Sequence, residues 1–290
     1  MKGVKMERQI SKRNYFLKTL TILFLSIILL LPTLMLEGSV AKAAPVAEDR
    51  SVDLSKCEGD LVITEDEVVR VYQTTATTSN SVMIPAKNAT VILDGLNIIS
   101  DKRLGQVQVG YQVNTKVFLK GKNKLQQTSE EIGTSFLVAA ESTCVIEDYG
   151  DGDGSLEVSN SSDKAADALM GGWSSWDASM TINSGSIKAT SKGAVAAIGA
   201  GHNTKNFGVI INGGTVEAHA EGWGAAIGIP GDLFGDKNSN DVNITINGGE
   251  VIASNRKTRE TAEYRSGAVI GSGYFSGYEQ KVTLNIPRCV

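Results

Sequence analysis

The stretch Thr181-Ile182-Asn183-Ser184-Gly185-Ser186-Ile187-Lys188-Ala189 recurs twice further along the chain, and this recurrence decides the fold. The later copies are Ile210-Ile211-Asn212-Gly213-Gly214-Thr215-Val216-Glu217-Ala218 and Thr245-Ile246-Asn247-Gly248-Gly249-Glu250-Val251-Ile252-Ala253. Each copy is followed by a second shared string, namely Ala196-Ala197-Ile198-Gly199, Ala225-Ala226-Ile227-Gly228 and Ala268-Val269-Ile270-Gly271. A fourth copy is expected to start at Thr283-Leu284-Asn285, which places the four Asn residues 29, 35 and 38 residues apart. Constant strings at variable spacing are typical of solenoid coils, in which the strands are fixed and the loops vary.

The residue pattern within one copy predicts short β-strands on both sides of a glycine corner. Apolar and polar residues alternate before the Asn and again after the Gly, which is the pattern of a strand with one buried face. The Gly residues supply the positive φ angles of a tight corner, and Asn residues in register can stack into a hydrogen-bonded ladder. We therefore expect an all-β parallel solenoid with coils of about 29–38 residues. An antiparallel sandwich is the alternative, but it would not repeat the same strings over such distances.

The chain divides into three parts on this interpretation. Residues 1–43 read as a signal peptide, with a basic start, an apolar run from Leu20 to Leu36 and the exit string Ala41-Lys42-Ala43. Residues 44–80 are expected to form the N-terminal cap and the first coil, and residues 81–290 the parallel β-helix, with the last coil incomplete. A retained membrane anchor is the alternative for the apolar run, since its length approaches that of a membrane span. Cleavage predicts a secreted, extracellular protein, which could also associate with the cell surface.

The charge balance limits the classes of partner. Residues 1–43 hold seven Lys/Arg and two Asp/Glu of the 28 and 32 in the whole chain, which leaves 21 basic and 30 acidic side chains after cleavage. An acidic mature chain argues against nucleic acid or an anionic membrane surface as its partner. It also predicts repulsion of uronate-rich polymers, unless a cation or a local basic patch intervenes. The three cysteines, at 57, 144 and 289, are too far apart to indicate a zinc site or a disulfide framework.

Two sets of strings carry a resemblance to known proteins. The string I-N-G-G-x-V-x-A followed by A-A-I-G resembles repeats of surface and secreted proteins of Gram-positive anaerobes. The strings Val91-Ile92-Leu93-Asp94-Gly95 and Val117-Phe118-Leu119-Lys120-Gly121 are similar to carbohydrate-binding β-helix domains of cellulose- and acidic-sugar-binding surface proteins. This resemblance implies a right-handed β-helix of pectate-lyase-like shape that binds plant-type polysaccharide or another glycan, with calcium as a candidate cofactor, and that is not primarily an enzyme.

The loops that follow the A-I-G strings are the expected position of a sugar site. A row of aromatic side chains among polar residues could cover the apolar face of a pyranose while the neighbours bind its hydroxyl groups. The alternative is that these rings fold back over the core. The candidate carbohydrate-binding residues are Trp173, Trp176, Phe234, Tyr274 and Tyr278.

A short acidic loop is the candidate calcium site. Asp148, Asp151 and Asp153 are closely spaced in a Gly-rich stretch, as oxygen ligands of a calcium loop would be. The residue twelve positions along the loop is Ser159 instead of the glutamate of an EF-hand, and a plain acidic turn is the alternative.

The sequence offers little support for catalysis. His202 and His219 are the two histidines, and neither lies in a nucleophile elbow or an HExxH motif, so no catalytic residue is assigned. Carbohydrate binding is therefore the leading hypothesis. A structural or adhesin-type surface module that binds protein partners is the second, and a pectate-lyase-like enzyme is the third.

Overall fold

The computed structural model describes residues 46–102, 105–129, 133–161, 168–231, 240–256, 267–274 and 281–286. Residues 44–290 form one compact unit; residues 1–43, which include the predicted signal peptide, lie outside the described residues. A single 3-10 turn is described, at Leu54–Lys56, and no described helix has the length and apolar character to cross a membrane. The strands are β1 (Arg50–Asp53), β2 (Leu61–Val62), β3 (Val68–Tyr72), β4 (Val82–Ile84), β5 (Thr90–Asp94), β6 (Asn97–Ser100), β7 (Val107–Val109), β8 (Asn114–Lys120), β9 (Lys122–Gln127), β10 (Phe136–Val138), β11 (Thr143–Asp148), β12 (Ser155–Asn160), β13 (Ala168–Gly172), β14 (Ser179–Ile182), β15 (Ser186–Gly193), β16 (Ala196–Ala200), β17 (Phe207–Ile211), β18 (Thr215–Gly222), β19 (Ile227–Gly228), β20 (Asp241–Ile246), β21 (Glu250–Asn255), β22 (Ile270–Gly271) and β23 (Lys281–Asn285).

These strands form three parallel sheets that the chain visits in turn. The first sheet has the order β1-β3-β5-β8-β11-β14-β17-β20-β23, the second β2-β4-β7-β10-β13-β16-β19-β22 and the third β6-β9-β12-β15-β18-β21. One coil is one passage through the sheets, for example β14, β15 and β16, and each strand pairs in parallel with its equivalent in the next coil. The parallel β-helix expected from the repeats is confirmed.

The residues predicted to point inward form the core. In the first sheet Met180 pairs with Val209 and Ile182 with Ile211, and all four side chains are fully buried. Ala189 and Ala218 pair in the third sheet and are equally buried. Outward positions between them, such as Lys188 and Glu217, remain exposed to solvent and form an ion pair across the strands. The period-2 pattern therefore assigned both faces of these strands correctly.

The Asn residues at the corner stack as expected over three coils. The Asn212 side-chain amide donates to the Asn183 side-chain oxygen at 2.8 Å, and the Asn247 amide donates to Asn212 at 2.7 Å. The expected fourth member is wrong, because Asn285 pairs with Thr245 instead of with Asn247. The match of Thr283-Leu284-Asn285 to the repeat is thus displaced by two residues. A two-residue shift keeps the same side chains on the inner face, so apolar alternation alone does not reveal it.

The glycine of the A-I-G string is required by close backbone contact. Gly171, Gly199 and Gly228 pair with one another in the second sheet and have φ angles between 142° and 144°. A Cβ atom on Gly199 would lie 2.0 Å from the carbonyl oxygen of Gly228. Side chains are excluded at this column, because the neighbouring coil occupies the space.

The residues before β1, Val46 to Asp49, contact residues of several coils of the first sheet. The Asp49 main-chain N–H donates to the Val68 carbonyl, and the Tyr149 hydroxyl donates to the Val46 carbonyl at 3.1 Å. Tyr149 also packs edge-on against the ring of Phe118, which is 6% exposed although it points away from the core. This leading segment, residues 46–49, thus contacts coils well beyond its own.

Candidate functional site

The corner between the second and the first sheet repeats in the same conformation over four coils. Gln112, Glu141, Asp177 and Asn206 occupy this corner, and all four have left-handed φ angles between 50° and 57°. Main-chain hydrogen bonds join each coil to the next at this corner. The N–H groups of Gln112, Glu141 and Asp177 donate to the main-chain carbonyl oxygens of Ala140, Trp176 and Lys205, respectively. We call these four residues the corner column. A left-handed φ angle is uncommon for residues other than Gly, so four polar residues in this conformation indicate a surface role for their side chains.

Two exposed aromatic rings lie beside the corner column. Tyr111 and Trp176 each precede a column residue, and their rings are 6.3 Å apart at an interplanar angle of 58°. The coil between them carries Ala140 at the equivalent position, and this small side chain lets the two rings approach across it. Tyr111 is 54% and Trp176 47% exposed. We call these two side chains the ring pair.

The Glu141 carboxylate fixes the ring pair in place. One of its oxygens accepts from the Tyr111 hydroxyl at 2.9 Å and from the Trp176 indole N–H at 3.1 Å. The other oxygen accepts from the Gln112 amide at 2.7 Å. These hydrogen bonds hold the pKa of Glu141 below its usual range, and the bond from Gln112 has the largest effect. The hydrogen bond to Glu141 in turn raises the pKa of Tyr111. At neutral pH the site therefore carries a fixed negative charge under two oriented rings.

The polar surface continues beyond the ring pair towards the C-terminal coils. The Asn206 amide donates to the Asp177 carboxylate at 2.7 Å, and the Asn243 amide donates to the Asn206 side-chain oxygen at 3.1 Å. Asn243 pairs with Gly208, so no side chain stands between it and Asn206. This chain of amides is a second ladder, separate from the one formed by Asn183, Asn212 and Asn247.

The structure separates the predicted carbohydrate-binding residues. Trp176 is in the ring pair, whereas Trp173 is half-buried and lies at the start of the same loop, with its main-chain N–H bonded to the Ser175 hydroxyl. Tyr274 is half-buried in the loop after β22, three strands along the second sheet from β13, or about 14 Å at the usual strand spacing. Phe234 and Tyr278 lie outside the described residues. Tyr111 was missed by sequence reasoning, because it follows a Gly in the less regular half of the chain.

The acidic loop predicted to bind calcium is organised by its own backbone. The Asp148 carboxylate accepts from the N–H groups of Gly150, Gly152 and Gly154 at 2.8–3.0 Å. Desolvation, and then the adjacent Asp153 carboxyl, raise the pKa of Asp151. Among the described residues no group of three or more His, Cys, Asp or Glu side chains is arranged to hold a metal ion. The calcium site stays a prediction.

A serine–histidine contact lies on the third sheet. His219 Nδ1 and the Ser254 hydroxyl are 2.7 Å apart, and His219 Nε2 lies 3.6 Å from the Glu217 carboxylate. All three side chains stand on the outer face of paired strands β18 and β21, whose backbone N–H groups bond to the neighbouring coils. Backbone N–H groups that bond to the neighbouring coils are not free to stabilise an oxyanion.

Comparison with known proteins supports the fold. A family model described as beta helix repeat matches residues 181–202, 209–228 and 244–274. These segments are similar to that repeat, and the similarity agrees with the parallel β-helix of the structure. The matched segments contain the two recurring strings, so the match lies on core and corner residues. No curated protein and no solved structure matches the chain.

Proposed function

We propose that this parallel β-helix protein binds carbohydrate, with the ring pair as the surface on which a sugar stacks. The support is the orientation of two half-exposed rings, Tyr111 and Trp176, by a carboxylate placed between them. Large aromatic side chains that are exposed and yet held in one orientation are pre-organised for a ligand, since less conformational entropy is lost on binding.

The chemistry of the ring pair suits a pyranose. The C–H face of a sugar ring is apolar and packs on an aromatic ring, while its hydroxyl groups need donors and acceptors at the edge. Gln112 and Asp177, the corner-column residues next to the rings, carry an amide and a carboxylate, which are groups that bind hydroxyl groups. Both rings are about half exposed, so a polymer can reach them from outside the solenoid.

The test is retention on insoluble cellulose, on pectin and on host-type glycans, with and without calcium. The wild-type chain should be retained on at least one of these polymers. Trp176→Ala should reduce retention at least tenfold, because it removes the larger of the two stacking rings. The matched control is Ile252→Ala, which removes an apolar side chain of similar exposure, 44%, from the third sheet and should bind as the wild type does.

Variants at the ring pair also separate stacking from orientation. Tyr111→Phe keeps the ring and removes its hydrogen bond to Glu141, so it should weaken binding by less than Tyr111→Ala. If the wild type and Trp176→Ala are both retained, and equally, on every polymer that binds, the ring pair is not the sugar site and the proposal is wrong. Retention of neither on any polymer, together with capture of a protein partner lost in Trp176→Ala, would favour the adhesin-type alternative instead.

Export is part of the proposal, since a polysaccharide ligand lies outside the cell. It rests on the signal-peptide pattern of residues 1–43. Expression of the full chain in a Gram-positive host should yield a protein in the medium or at the cell surface whose N-terminal sequence starts at Ala44. A full-length protein that stays with the cytosolic fraction would contradict export without affecting the binding site.

A further inference from the structure

The polar surface beside the ring pair extends in two parallel columns across five coils. The corner column continues to Asp241, which aligns with Asn206 because Phe207 pairs with Val242. The second column lies two residues further along each strand of the first sheet. Its members pair in register from coil to coil, and they are Asn114, Thr143, Ser179, Gly208 and Asn243. Four steps at the usual strand spacing give the surface a length of about 19 Å along the solenoid axis.

The side chains of this surface keep unused hydrogen-bonding capacity. A side-chain amide has two N–H donors and an oxygen with two lone pairs, and Asn206 and Asn243 each use one N–H within the ladder. Asp177 accepts one of these bonds and has further lone pairs on its carboxylate. Both donors and acceptors thus point outwards at successive coils, as a chain of hydroxyl groups requires.

The charge of the surface selects against anionic ligands. The carboxylates of Glu141, Asp177 and Asp241 lie along the corner column. The two described lysines that adjoin it are Lys205, whose backbone pairs with Trp176, and Lys281, which contacts Asp241. Lys281 is 3.5 Å from Asp241, so its charge is compensated by that contact. The part of the surface next to the ring pair therefore carries more negative than positive charge, and the mature chain adds a negative field of its own.

We propose that the site takes an uncharged glycan chain that lies along the corner column, with one sugar on the ring pair and the following sugars bonded to Asp177, Asn206 and Asn243. This inference rests on the proposed function. It adds the ligand class, neutral glycan instead of uronate polymer, and a set of subsites that extends from Trp176 towards β20. Affinity should then rise with chain length until the column is filled.

The test measures the affinity of soluble oligosaccharides of increasing length by calorimetry. Neutral gluco-, manno- and xylo-oligosaccharides are compared with oligogalacturonates. Asn243→Ala is the probe variant, because Asn243 lies in a strand and closes the far end of the ladder. Asn212→Ala is the matched control, since it removes the same residue type from the other Asn ladder, away from the ring pair.

The expected results distinguish this inference from the proposed function. A neutral series should bind more tightly with each added sugar, and Asn243→Ala should weaken the longest members about fivefold and the shortest not at all, as the loss of one hydrogen bond predicts. Asn212→Ala should match the wild type. Oligogalacturonates should bind at least tenfold more weakly, with a difference that shrinks at high salt.

Three results would contradict either the inferred glycan subsites and ligand class or the proposed carbohydrate-binding function. Equal affinity of Asn243→Ala and Asn212→Ala for the longest chains would show that the extended subsites do not bind glycan and that the site is limited to the ring pair. Tighter binding of oligogalacturonates than of any neutral series would overturn the ligand class. Failure of every glycan to bind would contradict the proposed function itself.

Discussion

Replacing Gly199 with alanine tests whether close backbone contact explains the A-I-G string. Gly199 has a φ of 142°, a region that residues with a Cβ rarely adopt, and strain there costs about 1–3 kcal/mol. The new Cβ would also lie 2.0 Å from the Gly228 carbonyl oxygen, so the two coils must separate locally. Separation would break ladder bonds such as that from Ile198 N–H to the Ala226 carbonyl, each contributing about 1 kcal/mol.

The sum predicts that Gly199→Ala lowers the free energy of unfolding by about 2–5 kcal/mol, a large part of the 5–15 kcal/mol typical of folded proteins. Urea unfolding followed by far-UV circular dichroism measures the shift of the midpoint. Gly59→Ala is the control, because Gly59 has no heavy atom within 4 Å of the added Cβ, and its effect should stay within about 0.5 kcal/mol. Equal midpoints for the two variants would refute the explanation.

Three further predictions follow from burial and charge. Burial raises the pKa of the Cys144 thiol to about 12, so mass spectrometry should find it unlabelled by iodoacetamide at pH 8 until urea is added, whereas labelling of the native protein would show that the interior is open. Phe207 is fully buried, and Phe207→Ala should cost about 3–5 kcal/mol in the urea experiment, with a smaller loss meaning that the corner repacks. Hydrogen bonds from Ser55 and Thr74 hold the pKa of Asp53 well below its usual value of 3.8, so its carboxylate stabilises the fold above that pH and the effect is lost as the pH falls further. Asp53→Asn should therefore lower the melting temperature more at pH 7 than at pH 2, where part of the effect is already lost, and an equal loss at both would contradict an ionic role.

The regular half of the fold could be predicted because its information is local. Ile182 and Ala189 are fully buried, as are their equivalents Ile211 and Ala218 in the next coil, so one recurring alternating pattern gives strand, face and register together. The register of the last coil could not be read in this way. Asn285 has the right neighbours in sequence, but the length of the loop before β23 places it opposite Thr245. Loop length is invisible to a pattern of period two.

The candidate site was predicted only in part, because it is assembled across coils. Trp176 was identified from its polar, Gly-rich loop, and the structure places it at the surface. Its partners Tyr111 and Glu141 come from the loops of two other coils, 65 and 35 residues earlier in the chain. No spacing rule joins them, since the intervening loops differ in length. The one available signal was a polar residue before an apolar strand in each coil, at the corner where a left-handed conformation is needed.

The leading segment changes how the first coils should lose their structure. In a stack of repeats each coil normally contacts only its neighbours, so unfolding can proceed one coil at a time from an end. The hydrogen bond from Tyr149 to Val46 joins residues 103 positions apart and spans the first sheet from β1 to the coil of β11. The ion pair between Glu48 and Arg70 adds a contact on the way. These contacts bind the first five strands of that sheet into one cooperative block, so native-state hydrogen exchange should show their amides opening together, whereas the coils from β14 onwards open in sequence.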